Sequence, residues 1–331
     1  MNFSQAILAL SPHSVNAWVS IMGCRPQIFS QMKKSISLLL AVFITWIGTD
    51  FARAETTIEL AHTMVGERFE YVIQHGDFLI SLAARFGESA MAIAQSNAID
   101  YNGLIFPGQR LEIDNRHIVP ETLGNGILIN LPQRMLFFFR DGNLAGAYPV
   151  GLGKPTWPTP TGQFRVVELH KNPTWTVPVS IQEELRREGE VVLTKVPPGP
   201  DNPLGKYWIG LSLPGYGIHG TSSPPSVYHF QSHGCIRLQP ENIEKLFPEI
   251  NIGATGQIIY APVLLAVQAD GRIYLEVNPD VYNEGINVLQ VLNKLAEANH
   301  LADRIDWQRA AQVVEQQEGL ARQINLQTKT Q

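Results

Sequence analysis

The interpretation of this 331-residue chain depends on one stretch, Ser232-His233-Gly234-Cys235-Ile236-Arg237-Leu238. It contains Cys235, one of the two cysteines in the sequence. The other, Cys24, precedes a segment with the features of an export signal. If that signal is cleaved, the exported protein keeps a single thiol. An unpaired thiol in an exported protein either forms an intermolecular disulfide or is reactive, and the residues around Cys235 favour a reactive one.

Residues 1–54 have the features of a signal peptide preceded by an extension. Lys33-Lys34 is followed by an apolar run, Ile36 to Ile47, and then by Ala52-Arg53-Ala54. A basic start, a short apolar run and an Ala-x-Ala site are typical of a cleaved secretory signal. We expect residues 32–54 to be this signal, cleaved after about Ala54, with the mature protein in the periplasm. An uncleaved membrane anchor is the alternative.

Composition limits the possible partners. Hydrophobic residues make up 44% of the chain and charged residues 17%, which is ordinary for a soluble globular protein. The formal net charge of −5 shows no basic excess, so nucleic acid is not expected to be a partner. Beyond the signal we expect no membrane span. With one cysteine the exported chain cannot form an internal disulfide, so packing must stabilise it.

A compact unit is predicted over residues 69–114, in the order strand, helix, helix, strand. The turn His75-Gly76-Asp77 leads into a helix from about Leu79 to Phe86, and Asp77 is a candidate cap for it. Gly87 suits the residue after that helix. A second short helix is expected over Ala90 to Gln95, and the strand Arg110 to Ile113 closes the unit.

This order, together with four short motifs, resembles a LysM module. The motifs are Gly76-Asp77, Phe86-Gly87, Leu104-Ile105 and Pro107-Gly108-Gln109. LysM modules bind glycans that contain N-acetylglucosamine, including peptidoglycan. The resemblance implies a glycan groove that is formed by Gly76, Asp77, Phe78, Leu79, Leu104 and Ile105. Phe78 departs from the family, which usually has a small hydroxyl residue there. The alternative is a packing unit without glycan affinity.

From Gly126 the pattern of apolar residues becomes typical of β-strands. Asp141-Gly142-Asn143 lies between apolar runs and predicts a hairpin, because such turns need positive φ angles. Residues 170–205 are expected to be irregular except for a helical turn at Ile181 to Arg187. A long irregular segment in a compact domain is often functional, so it is a candidate lid or substrate wall. Near the C-terminus we expect two helices, Val288 to Asn299 and Trp307 to Gln317.

The chemistry of a reactive thiol requires a base nearby, because a free thiol is mostly protonated at neutral pH. His219 lies 16 residues before Cys235 and His233 lies two before it. If His219 ends one strand and Cys235 begins its neighbour, the two side chains meet. Gly234 lets a substrate carbonyl approach the backbone N–H groups, as an oxyanion site needs. Two alternatives are an inert buried cysteine and a zinc site of His219, His229, His233 and Cys235.

The motifs Ile218-His219-Gly220-Thr221 and Ser232 to Leu238 resemble the signature of the L,D-transpeptidase (YkuD) catalytic domain of the ErfK/YbiS type. Pro149-Val150-Gly151, Trp157 to Gly162 and Tyr207-Trp208-Ile209-Gly210 extend the resemblance over residues 125–263. By this resemblance Cys235 is the nucleophile, His219 its base and His233 a residue that polarises the site, while the backbone around Gly234 and Cys235 holds the oxyanion. It implies substrate contacts from Arg237, Ser232, Gly220, Trp208 and Tyr228.

The resemblance implies an α+β, mainly β fold. A β-rich sandwich follows the LysM-like module and precedes an accessory region, residues 264–331, that is partly helical and has no known role. The implied reaction needs no metal or other cofactor. Cys235 attacks a peptidoglycan tetrapeptide stem and expels D-alanine, and an amine then resolves the thioester. The amine belongs to another stem or to an envelope protein.

Several alternative functions resemble this one. Attack by water would make the protein an L,D-carboxypeptidase. A hydrolase that detaches proteins from the wall shares the same motifs, and a non-catalytic peptidoglycan-binding protein could keep the fold. A papain-like NlpC/P60 peptidase also occurs with LysM modules. It is excluded because its cysteine precedes its histidine, whereas His219 precedes Cys235 here.

Overall fold

The structure is a computed structural model that describes residues 60–326. The predicted signal peptide, its cleavage site and Cys24 lie outside the described residues. Between residues 60 and 326, no helix is both long enough and apolar enough to cross a membrane.

Residues 64–118 form an N-terminal module with the predicted order of strand, two helices and strand. Its elements are β1 (Met64–Val65), β2 (Arg68–Val72), α1 (Leu79–Phe86), α2 (Ala90–Ser96), β3 (Arg110–Asp114) and β4 (His117–Ile118). Strands β2 and β3 pair in antiparallel fashion, and the two helices bury their apolar faces in one small core with them.

The start of α1 differs from the prediction, because the N-cap residue is Phe78 and not Asp77. The Phe78 N–H donates to Ser81 Oγ at 2.9 Å. The Asp77 carboxylate instead accepts from the Tyr71 hydroxyl at 2.7 Å and from the Gln74 N–H at 2.8 Å. Asp77 therefore ties the loop to β2. Gly87 ends the helix at φ 76°, as predicted.

Residues 126–259 form the β-rich domain that the sequence predicts. Its elements are β5 (Gly126–Asn130), β6 (Met135–Arg140), β7 (Asn143–Gly153), β8 (Gly162–Lys171), β9 (Trp175–Thr176), α3 (Val179–Glu188), β10 (Lys195–Val196), β11 (Tyr207–Leu211), β12 (Gly217–His219), β13 (Phe230–Ser232), β14 (Ile236–Leu238), α4 (Pro240–Leu246) and β15 (Thr255–Ile259).

Nine of these strands form one sheet that closes on itself. The strand order is β13-β7-β14-β12-β11-β8-β15-β5-β6, and β6 also pairs with β7. Strand β7 pairs with β6 over its first part and with β14 at Val150 and Gly151. The closed sheet encloses the main apolar core. Asp141 (φ 51°) and Gly142 (φ 74°) form the predicted tight turn between β6 and β7.

The segment between β8 and β11 contains more regular structure than the sequence suggests. Strands β9 and β10 pair in antiparallel fashion, and α3 lies between them in sequence. None of the α3 residues is buried. This segment, residues 172–206, is called the wall segment below, because several of its residues line the cleft at Cys235.

The C-terminal region packs its helices on a second small sheet. Its elements are β16 (Val263–Val267), β17 (Ile273–Val277), α5 (Val288–Ala298), α6 (Trp307–Gln316) and β18 (Arg322–Gln323). The strand order is β16-β17-β18, and the region has its own apolar core. Both predicted helices are present. Asp306 caps α6 by accepting from the Arg309 N–H at 3.0 Å.

A buried carboxylate in β17 joins the three parts of the chain. Glu276 is 0% exposed and accepts from the Ile118 N–H at 2.7 Å and from Gln133 Nε2 at 2.9 Å. It also contacts His117 Nδ1 at 3.1 Å, and His117 Nε2 lies 2.8 Å from the Gly87 carbonyl oxygen. Removing a buried acceptor of this kind leaves several donors unsatisfied, so Glu276 fixes how the N-terminal module and the C-terminal region meet the β-rich domain.

Candidate active site

A cleft of about 730 Å³ lies at the ends of β8, β11, β12 and β13. The wall segment forms one side of it with Pro173, Trp175, Pro178, Ile181 and Leu204. The floor contains most of the residues that the sequence predicts to act together, and these are Trp208, His219, Ser232, His233, Cys235 and Arg237. The cleft therefore unites residues from five separate stretches of the chain.

Cys235 and His219 share a face of the sheet because β12 and β14 are parallel neighbours. Ile218 pairs with Ile236, and His219 pairs with Arg237. Both isoleucines are fully buried in the core. Since side chains alternate along a strand, His219 and Arg237 point to the opposite face, and Cys235, two residues before Arg237, shares that side. The register thus places the two side chains on the same face, at the ends of neighbouring strands.

His219 is oriented so that one ring nitrogen is free to act as a base. Its Nδ1 lies 2.6 Å from the Gly220 carbonyl oxygen. A carbonyl only accepts, so Nδ1 carries the proton and Nε2 keeps its lone pair. Gly220 thus acts through its backbone. The Trp208 ring stacks on His219 with 5.8 Å between ring centroids, and Trp208 Nε1 donates to Glu168 at 2.8 Å.

Burial favours the neutral forms of both the His219 imidazole and the Cys235 thiol. Burial, together with the Arg237 cation, lowers the pKa of His219 to about 3. Burial also raises the pKa of the Cys235 thiol, against smaller opposing effects of the Gly217 backbone and Arg237. The Cys235 thiol lies 3.8 Å from the Gly215 carbonyl oxygen, its hydrogen-bond acceptor. A neutral thiol beside a neutral imidazole is therefore the starting state at pH 7.

Arg237 places an uncompensated cation in the cleft. Burial lowers its pKa, and its Nε is buried without a hydrogen-bond partner. None of the ion pairs within residues 60–326 includes it. A buried charge is costly unless it is paired. The side chain is therefore suited to an anionic group that enters the cleft.

The sequence did not indicate that Glu184, on α3, is a partner of His233. His233 Nε2 is hydrogen-bonded to Glu184 Oε2, and Lys154 Nζ contacts the same carboxylate at 2.6 Å. Hydrogen bonds from Lys154 and His233 lower the pKa of Glu184 to about 2. Trp157 meets His233 edge-on at 5.1 Å. The helical turn predicted over Ile181 to Arg187 includes Glu184, but no pattern in the sequence indicates that Glu184 contacts His233.

The loop before Cys235 is a tight turn that Ser232 stabilises and that leaves the Cys235 N–H without a partner among residues 60–326. Ser232 Oγ accepts from the Gly234 N–H at 3.1 Å and donates to the Cys235 carbonyl oxygen at 2.6 Å. Gly234 has φ 102°, and a Cβ there would lie 2.5 Å from the Tyr216 ring, so glycine is required. The Cys235 N–H makes no hydrogen bond to any residue between 60 and 326. Of the two N–H groups predicted to hold the oxyanion, that of Cys235 is the free one.

Tyr228 does not line the cleft, whereas the predicted substrate contacts Trp208, Ser232 and Arg237 do. Gly220 is likewise outside the cleft lining. It is 1% exposed, and the Arg134 guanidinium packs 3.9 Å from the centre of its ring. Its backbone has φ 64°, a conformation that is uncommon for a bulky residue. This placement does not support direct contact of Tyr228 with a substrate.

The predicted glycan residues of the N-terminal module are divided between surface and core. Phe78 is 65% exposed and Leu104 is 82% exposed. Gly76 is also exposed, and Ile105 and Asp77 are half-buried. Leu79 is buried in the small core of the module. Two large apolar side chains thus face solvent on the predicted groove loops.

The zinc alternative has no support in the described part of the chain. No group of three or more His, Cys, Asp or Glu side chains in residues 60–326 is arranged to hold a metal ion.

Comparison with known proteins identifies two of the three parts of the chain. Residues 124–264 match the family model of the L,D-transpeptidase catalytic domain (YkuD), and residues 71–114 match that of the LysM domain. "Probable L,D-transpeptidase ErfK/SrfK" of Escherichia coli is 32% identical over 219 residues, or 65% of this chain and 70% of that protein. "Probable L,D-transpeptidase YbiS" of Escherichia coli is 36% identical over 173 residues, or 52% of this chain and 56% of that protein.

This chain thus spans between 56% and 70% of these two relatives. The crystal structure of an Enterococcus faecium L,D-transpeptidase mutant aligns with a TM-score of 0.33 and 23% identity, over 41% of this chain and 49% of that one. The two family matches confirm both resemblances found in the sequence.

The neutral resting state predicts how Cys235 reacts with iodoacetamide. Because burial raises the pKa of the thiol, the alkylation rate should rise about tenfold per pH unit from pH 6 to 8 and should not level off below about pH 8.5, the pKa of a free cysteine. The measurement is a pH profile of the alkylation rate, with Cys235→Ala as the background. A plateau that is already reached at pH 7 would instead indicate a thiolate–imidazolium pair.

Proposed function

Since the chain belongs to the L,D-transpeptidase family, we propose that it is a cysteine L,D-transpeptidase that acts on peptidoglycan stem peptides. One observation carries the proposal. Cys235, directly before β14, and His219, at the end of the adjacent parallel strand β12, line one cleft, and His219 Nε2 keeps its lone pair. A nucleophile and a base on neighbouring strands are what acyl transfer through a thioester requires.

In the acylation step, His219 Nε2 takes the proton of the Cys235 thiol while Sγ attacks the carbonyl carbon of the L-centred third residue of a tetrapeptide stem. The carbonyl oxygen becomes negative and accepts from the free Cys235 N–H. The protonated His219 then gives its proton to the departing nitrogen, the C–N bond breaks, and D-alanine leaves. Because burial lowers the pKa of His219 to about 3, its protonated form is a strong acid for this last transfer.

Arg237 supports binding of the stem before acylation. Peptidoglycan stems carry free carboxylates, and the unpaired guanidinium of Arg237 lies in the cleft floor beside Cys235. A carboxylate on this side chain compensates the buried charge. The same cation favours the thiolate of Cys235 and disfavours the imidazolium of His219.

In the second step an amine resolves the thioester. The amine attacks the thioester carbonyl, His219 takes its proton, and the thiol of Cys235 is released. A stem amine gives a 3→3 crosslink, and a lysine amine anchors an envelope protein. Water as acceptor gives an L,D-carboxypeptidase, and a hydrolase that detaches proteins from the wall would use the same residues.

We also propose that the N-terminal module binds glycan strands and that the protein works in the periplasm after removal of residues 32–54. Exposed Phe78 and Leu104 on the predicted groove loops support the first proposal. Aromatic and aliphatic surfaces commonly provide ligand contacts in small binding sites. The Ala52-Arg53-Ala54 site supports the second.

The reaction is tested by incubating residues 55–331 with disaccharide-tetrapeptides and analysing the products by mass spectrometry. We expect D-alanine and 3→3 dimers from the wild type and neither from Cys235→Ala. His219→Gln should react at least ~10²-fold more slowly, because the general base is lost. D-alanine without dimers would indicate the carboxypeptidase. Release of peptide from a lysine-linked conjugate would indicate the detaching hydrolase, and unchanged substrate would contradict the enzyme assignment.

Glycan binding is tested by pull-down with purified sacculi. The double variant Phe78→Asp, Leu104→Asp removes two exposed apolar side chains, and burying two such groups contributes about 3 kcal/mol or more, so affinity should fall ~10²-fold. Ile252→Asp is the matched control, because Ile252 is 67% exposed in the β-rich domain. Undiminished binding by the double variant would reject the proposed groove.

A further inference from the structure

The carbonyl group on the other side of the Gly234–Cys235 peptide bond is held by a buried threonine. Thr159 Oγ1 donates to the Gly234 carbonyl oxygen at 2.9 Å. Thr159 is 2% exposed. In a planar trans peptide the C=O and N–H groups point in opposite directions. The bond from Thr159 therefore fixes the direction of the Cys235 N–H, which makes no hydrogen bond to any residue between 60 and 326.

Thr159 is itself fixed by two further hydrogen bonds. Its Oγ1 accepts from the Gly153 N–H at 3.0 Å. The Thr159 N–H donates to the Tyr282 hydroxyl at 3.2 Å, and that hydroxyl donates to the Gly153 carbonyl oxygen at 2.7 Å. Tyr282 thus bridges the end of β7 and the Thr159 backbone. A continuous chain of hydrogen bonds leads from Tyr282 to the peptide unit that supplies the Cys235 N–H.

There is almost no free space along this chain. A Cβ on Gly153 would lie 2.2 Å from the Trp157 carbonyl oxygen and 2.9 Å from the Gly234 Cα. Because such contacts do not occur in real structures, the end of β7 lies as close to the Gly234 turn as backbone atoms allow. A displacement of the loop that contains Thr159 would therefore also displace Gly234.

Tyr282 is held rigidly by the C-terminal region. Its N–H donates to the Tyr260 hydroxyl at 3.0 Å, and that hydroxyl donates to Asp280 at 2.6 Å. Asp280 also accepts from the Gly285 N–H at 2.9 Å, and this bond closes the loop from Asp280 to Gly285. The Tyr282 ring stacks on Tyr260 at 5.7 Å and meets Phe230 edge-on at 5.5 Å. Phe230 belongs to β13, which leads into the Cys235 turn.

We propose that Thr159 and Tyr282 are positioning residues that aim the Cys235 N–H at the oxyanion of the tetrahedral intermediate. Through Tyr282 the C-terminal region takes part in the reaction, although none of the described residues that line the cleft belongs to it. The inference rests on the proposed acyl-transfer function. Oxyanion donors act only when they are aimed at the developing charge, and removing one costs ~10²–10³ in rate. A donor that is merely misdirected should lose part of that amount.

The test compares two reactions of the same thiol. Acyl transfer from p-nitrophenyl acetate passes through a tetrahedral oxyanion, whereas alkylation by iodoacetamide does not. Thr159→Val removes the hydroxyl at nearly constant volume, and Tyr282→Phe removes the second hydroxyl while keeping the ring. Tyr274→Phe is the matched control, because Tyr274 is buried in β17 of the same region and takes no part in this chain. Thermal unfolding of every variant reports on the fold.

We expect the acylation rate of Cys235 to fall ~10–100-fold in Thr159→Val and ~3–10-fold in Tyr282→Phe, while alkylation changes less than about twofold. Thr159→Ser keeps the hydroxyl and should restore most of the acylation rate. Tyr274→Phe should match the wild type in both reactions. This separation of the two rates is an effect that a general loss of stability would not produce.

Three results would overturn the inference. Equal losses in acylation and alkylation would mean that the residues merely hold the Cys235 side chain, and undiminished acylation in both variants would mean that they do not aim the donor. A wild type without any ester acylation would also contradict it. If the wild type reacts with the ester but not with disaccharide-tetrapeptides, the proposed substrate is wrong, whereas the comparison of variants still decides the inference.

Discussion

The parallel pairing of β12 with β14 is the constraint on which the active site depends. Its register places Ile218 and Ile236 in the core and turns His219, Cys235 and Arg237 toward the cleft. A slip by one residue would bury the charged and reacting groups and expose the isoleucines, so the hydrophobic core enforces the register. Parallel neighbours cannot be joined by a tight turn. The 16-residue separation of His219 and Cys235 is the length that this connection uses.

Burial shifts the pKa values of His219 and Cys235, and it makes the site depend on polar and charged groups from the surrounding chain. The same desolvation that lowers the pKa of His219 raises that of the Cys235 thiol, so charge separates only when substrate is bound. The surrounding chain must then supply fixed dipoles and charges, because His219 is almost fully buried. Residues from distant parts of the sequence supply these dipoles and charges. Glu184 of the wall segment pairs with His233, and Tyr282 of the C-terminal region is linked to the Gly234 turn through Thr159.

The sequence predicted those features that depend on local patterns. The hairpin at Asp141-Gly142 and the helices of the N-terminal module were recognisable, because each is determined by neighbouring residues. Features that arise from long-range packing were not. The Glu184–His233 pair joins residues 49 positions apart. Asp77 was predicted as a helix cap, but its carboxylate is used by Tyr71. Tyr228 was expected at the substrate, yet its left-handed backbone and the Arg134 cation hold it in the core.

The central claim is that Cys235 becomes acylated by the stem peptide with loss of D-alanine. The most direct measurement is acid quenching of the enzyme within its first turnovers on disaccharide-tetrapeptide, followed by intact mass spectrometry and peptide mapping. The account predicts an adduct equal to the substrate minus D-alanine, located on the peptide that contains Cys235 and absent from Cys235→Ala. D-alanine release without this adduct, or an adduct that persists in Cys235→Ala, would contradict the account.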